Sequence, residues 1–166
     1  MRLTRKLFEL ATEVATLSSA ERSFLIRAFA RAPFEAAELR RRGLRGVVRS
    51  LGSRRFAPRG APVDVARAER LVRAAFRYGP GRVAGPDDGR CLPESITQYA
   101  LHLRTGPEPR LVIGVRRGDD GDGAGWLVSA HAWVEEEGGA RRAPEFAPLF
   151  WISPRGVGGA MAGALE

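Results

Sequence analysis

Two residues of this 166-residue chain could together start nucleophilic chemistry: Cys91, its sole cysteine, and His131, one of its two histidines. Cys91 opens the segment Cys91-Leu-Pro-Glu-Ser95, ahead of apolar residues at helical spacing. His131 lies in Ser129-Ala-His131-Ala-Trp133-Val134, which has the alternation of a strand. In thiol hydrolases and acyl transferases the thiolate is the nucleophile, and a helix N-terminus and a neighbouring imidazole both lower a thiol pKa. A cysteine held at a helix start, with a histidine delivered from a strand, is the constellation of such an enzyme. Taken singly, each residue also has a plainer reading, Cys91 as a small buried apolar residue and His131 as a satisfied strand residue.

The order of the surrounding motifs adds to this pair. Cys91-Leu-Pro-Glu-Ser95, a helix, Pro109-Arg-Leu-Val-Ile-Gly-Val-Arg116-Arg117, Ala130-His131-Ala-Trp133-Val-Glu135 and Phe146-Ala-Pro-Leu149 follow one another. This succession resembles the transglutaminase-like cysteine peptidases of lasso-peptide biosynthesis. These are the stand-alone leader-peptidase half of the split B protein, related to the C-terminal part of the microcin-processing maturases. The resemblance is strong from about Cys91 to Trp151 and weaker over the helical N-terminal half. Its most specific pieces are the Leu-Val-Ile-Gly-Val-Arg and Ala-His-Ala-Trp-Val-Glu strands.

The resemblance implies an α+β fold in which a catalytic helix packs on a small antiparallel sheet, a transglutaminase-like or papain-like core behind an N-terminal helical region. It implies cleavage of a ribosomally made lasso-peptide precursor between leader and core, with Cys91 as nucleophile, His131 as base and an acidic residue orienting the histidine. The family usually places an aspartate a little over ten residues after the histidine. No aspartate follows His131 here, and Glu145 is the best match, while Glu135, Glu136 and Glu137 have less suitable spacing. Fused relatives carry a small winged-helix-like recognition domain for which this chain has no room. The expected partners are therefore the precursor peptide, a separate leader-recognition protein and an amide-forming lasso cyclase, with no cofactor and no metal. Two alternatives stand beside this reading: a transglutaminase-like acyl transferase on another substrate, and a non-catalytic scaffold of a peptide-maturation complex.

Composition bounds these possibilities. The length suits a single substantial core without disulfides or metal. One cysteine excludes a disulfide framework and a cysteine-based metal cluster, which fits a reducing cytoplasm. No stretch reaches the ~18 to 20 uninterrupted apolar residues of a membrane span. The basic start Met1-Arg-Leu-Thr-Arg-Lys6 resembles a signal peptide, but Glu9 and Glu13 interrupt the apolar run at helical spacing and make it an amphipathic helix. A net charge of +8 suits acidic partners, nucleic acid or an anionic membrane surface. Yet Lys6 is the only lysine, a pattern of GC-rich codon usage rather than of one binding patch. The arginine-rich part has no interleaved aromatics and no nucleic-acid motif, so an acidic peptide fits the charge at least as well as a nucleic acid does. The loop Gly118–Gly125 spaces Asp119, Asp120 and Asp122 among glycines but lacks the remaining ligands and closing glutamate of an EF-hand, and reads as a hairpin loop.

The elements that would position the pair follow from spacing and caps. Leu7, Phe8, Ala11, Val14 and Leu17 predict a first helix. Ser18-Ser-Ala-Glu21 predicts a capping box for a second, with Phe24, Leu25, Ala28 and Phe29 on its apolar face and Pro33 after its end. Leu39, Leu44, Val47, Val48 and Leu51 thread through arginines 40 to 55 as an amphipathic helix with a basic face. Asp64 caps a helix ending at Gly79-Pro80-Gly81, and a turn-rich loop leads to Cys91. Leu92, Ile96, Tyr99, Ala100 and Leu103 predict the buried face of the Cys91 helix. His102, about three turns on, is a surface or lining residue on this reading. Strands are expected over 110–117, 126–136 and 146–152, with a frayed tail from Ser153. The chain divides into a helical region, 1–60, a peptidase core, 61–152, and a flexible tail, 153–166.

Overall fold

Capping chemistry starts the first two helices of the computed structural model, which describes residues 15–53, 55–59, 61–79, 90–119, 126–139 and 142–160. The Ser18 hydroxyl accepts from the Glu21 N–H, and the Glu21 carboxylate accepts from the Ser18 N–H, so the capping box opens helix α1, Ser19–Gly52. The Asp64 carboxylate accepts from the Arg67 N–H and opens α2, Val65–Tyr78. Most of the predicted first helix falls in residues 1–14, outside the described residues, as do the loop before Cys91 at 80–89 and the loop 120–125.

Pro33 does not end α1. A proline inside a helix costs roughly 3 kcal/mol through its missing N–H and ring clash. Leu17, Phe24, Ala28, Ala32 and Ala36 nevertheless pack on both sides of Pro33 against Ala68, Leu71, Val72, Ala75 and Phe76 of α2. That continuous burial carries the helix through. The break comes at Gly43, whose φ of 64° is left-handed backbone that glycine adopts without penalty. Past the break, Val47, Val48 and Leu51 turn into a second cluster; Arg40, Arg41 and Arg42 before it and Arg45 and Arg49 after it are exposed.

Helix α3, Cys91–Thr105, runs between the other helices and the sheet, and is buried without interruption from Ser95 to Leu103. Its last carbonyls, which have no partner inside the helix, accept from the N–H groups of Ala57, Arg59 and Val63 in the segment that precedes α2.

Strands β1, Pro109–Asp119, β2, Trp126–Glu136, β3, Ala147–Ser153, and β4, Gly156–Gly158, form one antiparallel sheet in the order β2-β1-β3-β4. This mixture of helices and antiparallel sheet is the α+β architecture expected. Alternation sends Leu111, Ile113, Ala132, Val134, Phe150 and Ile152 to the α3 side. Val112, Trp133, Ala143 and Phe146 form a smaller cluster on the other side. Residues 154–160 differ from the expected frayed tail, because β4 pairs with the outer edge of β3. The unpaired N–H and C=O groups of that edge supply a reason to fold that a glycine-rich composition conceals.

Among the described residues no helix is long and apolar enough to cross a membrane, and no three His, Cys, Asp or Glu side chains are grouped to hold a metal ion.

Candidate active site

Cys91 is the first residue of α3, with Arg90 at the cap position and Pro93, whose missing N–H has no intrahelical use, in the first turn. Two side chains fix this helix start in the fold. The Ser95 hydroxyl donates to the Ala132 carbonyl of β2 at 2.9 Å, and the Gln98 amide donates to the Val65 carbonyl at the start of α2 at 2.8 Å. Both bonds are buried, and one of them grips β2 at the residue after His131.

His131 sits opposite Gly114 on β1. A Cβ at Gly114 would fall 2.9 Å from the Trp133 ring and 2.7 Å from the Ala147 carbonyl, so glycine there is required by close approach. With that space open, Trp133 lies over β1 and stacks on His131, ring centroids 6.0 Å apart and planes 15° apart. Phe146 closes on the imidazole at 5.0 Å. Trp133 is anchored in turn, its indole N–H donating to Glu135 at 3.0 Å, while Glu135 pairs with Arg110. Glu135 therefore acts on the ring that stacks against His131 and makes no hydrogen bond to His131 itself.

Cys91 and His131 line one cavity of about 30 Å³ with Glu69, Arg73, Glu94 and Trp133. That volume admits a water molecule and no peptide, so an extended substrate has to approach from the open side. The sheet face on which His131 lies is a finding of the structure. Ala132 and Val134 face α3, whereas His131 shares the other face with Trp133 and reaches the cavity because β2 is the edge strand.

The His131 pKa lies below the usual histidine value, first because of burial. The carboxylates of Glu69 and then Glu145 oppose that shift, and Arg73 adds to it. Glu145 is exposed in the turn before β3 and makes no hydrogen bond with His131. β1 lies between β2, which carries His131, and β3, which Glu145 precedes. Glu145 therefore acts on the ring through its field alone.

Sequence reasoning missed Glu69. It stands on α2, accepts from Arg73 at 2.7 Å and from Arg142 at 2.8 Å, and exerts the larger carboxylate field on His131. A helical i, i+4 Glu–Arg pair is an ordinary surface pattern, and 62 residues separate Glu69 from His131 in the sequence. Only the packing of α2 beside α3 brings them together.

His102 departs most from its expected place. It has no solvent exposure, packs against Phe24 at 5.6 Å between centroids, and neither ring nitrogen has a hydrogen-bond partner among the described residues. Burial holds its pKa down to about 4, against a smaller opposing effect of Asp64. The whole circumference of α3 is packed, so a position off the predicted apolar stripe is as dry as one on it.

A family model for the transglutaminase-like superfamily matches residues 27–145, and the chain belongs to that superfamily. The match takes in Cys91, His131, Glu69 and Glu145 and most of α1. Comparison with curated proteins and comparison with solved structures each return no match. Membership brings cysteine-peptidase or acyl-transfer chemistry as the class of activity.

Proposed function

We propose that this chain is a cysteine peptidase that removes the leader from a ribosomally made lasso-peptide precursor. The observation that carries the reading is the meeting of Cys91 and His131 on one cavity in a chain of the transglutaminase-like superfamily. The finer reading is supported by the resemblance of the Leu111–Arg116 and Ala130–Glu135 strands to lasso leader peptidases. The features those motifs encode, Gly114 beneath Trp133 and Glu135 anchoring the Trp133 indole, both bear on the ring stacked against His131.

In this mechanism His131, neutral near pH 7 because burial lowers its pKa, takes the proton of the Cys91 thiol. The sulfur adds to the scissile carbonyl, and the backbone N–H of Cys91 at the helix start is a donor for the developing oxyanion. The C–N bond breaks as His131 protonates the leaving amine, which departs as the core peptide. Water, deprotonated by His131, then attacks the thioester, releases the leader as a carboxylic acid and restores the thiol. Glu69 and Glu145 stabilise the imidazolium through space. A separate leader-recognition protein would present the precursor, and a lasso cyclase would use the released core.

The test is incubation of the chain with a precursor and its recognition protein in ¹⁸O-water, read by mass spectrometry. Leader removal is expected to give a core with a free N-terminus and a leader with ¹⁸O in its new carboxylate. Incorporation of an added amine in place of water would establish acyl transfer to amines instead. An intact precursor, together with a Cys91 thiol that resists iodoacetamide at neutral pH, would leave the scaffold reading.

A further inference from the structure

Away from Cys91, the outer side of α1 carries two adjoining grooves. One, of about 790 Å³, is lined by Arg27, Arg31, Phe34, Glu38, Arg59 and Arg104 among others, with Leu101 of α3 in its wall. The second, of about 450 Å³, shares Arg27 and runs toward Ser19 past Ile26. Together they follow α1 from Ser19 to Glu38, roughly 28 Å of helix. Arg104 lies thirteen residues along α3 from Cys91, or about 20 Å at helical rise.

The charges in this surface do not balance. Glu35 is paired with Arg31, and Glu38 with Arg41 and Arg42. Arg27, Arg59 and Arg104 have no side-chain hydrogen bond or ion pair among the described residues. Beside them Phe34 and Ile26 are 71% and 69% exposed, two of the three large apolar side chains that the described residues leave open to solvent. Uncompensated guanidinium groups next to bare apolar side chains match a partner that is both acidic and apolar. Phosphate-rich chains offer the charge without the apolar side chains that would cover Phe34 and Ile26. A surface this long, far from the nucleophile, exceeds what a few residues flanking a scissile bond would cover.

We infer that the α1 groove docks an acidic segment of a separate partner protein, with its carboxylates on Arg27, Arg59 and Arg104 and its apolar side chains on Phe34 and Ile26. Arginine forks hold such carboxylates through paired N–H donors, and the exposed Phe34 and Ile26 side chains supply the water-free contact that ranks positions along the segment. This inference concerns binding alone and stands whether or not the chain cleaves a lasso precursor.

The probe is a fluorescein-labelled fourteen-residue peptide of Asp and Glu interrupted by one Leu and one Phe, titrated with the full chain at about 0.15 M salt and read by anisotropy. Saturable binding is expected, weakened tenfold or more by Arg27→Gln/Arg59→Gln/Arg104→Gln and severalfold by Phe34→Ser. The same peptide with Asn and Gln in place of its acids should fail to bind. A charge-matched control, Arg40→Gln/Arg45→Gln/Arg77→Gln, removes three exposed arginines outside the groove and should weaken binding less than threefold. Equal losses in the two triple variants would reduce the groove to general basic charge and overturn the proposal. So would a single-stranded oligonucleotide that displaces the probe at lower concentration, or cleavage of the probe, which would make it a substrate. Self-association in sedimentation velocity that Phe34→Ser abolishes would assign the groove to a second copy of the chain, also against the proposal.

Discussion

The two histidines occupy opposite kinds of environment on neighbouring elements. His102 is sealed inside the helical side of α3, against Phe24, with no hydrogen-bond partner among the described residues. His131 is half-buried at the edge of the sheet, between Trp133 and Phe146, with Glu69, Glu145 and Arg73 acting on its charge. Burial lowers the pKa of both. Only at His131 is the lowering opposed by two carboxylates, with an exit toward a nucleophile. Burial without partners makes an imidazole inert and costly to the fold, whereas burial opposed by nearby carboxylates leaves one whose protonated form has stabilising charges beside it.

The largest expected effect separates the site from the rest of the chain. Cys91→Ala should abolish cleavage of the precursor in a mass-spectrometric assay while the unfolding midpoint in urea stays near that of the parent chain, because the change removes one sulfur from a half-buried position. Turnover near the parent rate would end the peptidase reading.

The histidines should then divide cleanly. His131→Ala is expected to lower kcat/KM by roughly 10³-fold or more, the loss typical of a missing general base. His102→Ala should leave kcat within a few fold and instead destabilise the fold by about 1 to 3 kcal/mol, as a buried ring is replaced by a cavity. An activity loss at His102 with none at His131 would reverse the comparison and identify a different base.

A smaller effect follows from the His102 pKa of about 4 in the folded chain against 6.5 for an exposed histidine. The folded state binds fewer protons, so the stability contributed by keeping this ring neutral is fully present above about pH 6.5 and is lost as the pH falls toward 4. Urea midpoints taken between pH 7 and 4.5 should drop more steeply for the parent chain than for His102→Leu. Parallel curves would mean that His102 titrates as an exposed group.

The smallest effect concerns the carboxylates. Glu69→Gln should lower the His131 pKa, read by NMR of the ring protons, by more than Glu145→Gln does, since the Glu69 field is the larger and its loss leaves Arg73 with Glu94 as its ion-pair partner. The reverse order would return the leading orienting role to Glu145.

Much of this arrangement was legible in the chain itself. Ser18 and Glu21, Asp64, and the alternation from Trp126 to Glu136 are local signals, decided by atoms a few residues apart, and they mark α1, α2 and β2 where the structure has them. Local signals failed where distant packing outweighed them. Pro33 reads as a helix end, yet the α1–α2 interface spans it. The tail reads as frayed, yet the open edge of β3 captures 156–158.

By itself the sequence determined the chemical types and the local elements that carry them: one thiol at a helix start, one imidazole on a strand, and glycine and tryptophan at the positions that flank that imidazole. Backbone hydrogen bonding and side-chain periodicity act over a few residues and are written in adjacent letters. The tertiary structure alone decided that β2 is an edge strand, that Glu69 of α2 stands nearer in effect to His131 than Glu145 does, and that His102 is dry. Those outcomes depend on which surfaces meet when α2, α3 and the sheet share one interior, a matter of volume and exclusion of water between segments that the sequence keeps far apart.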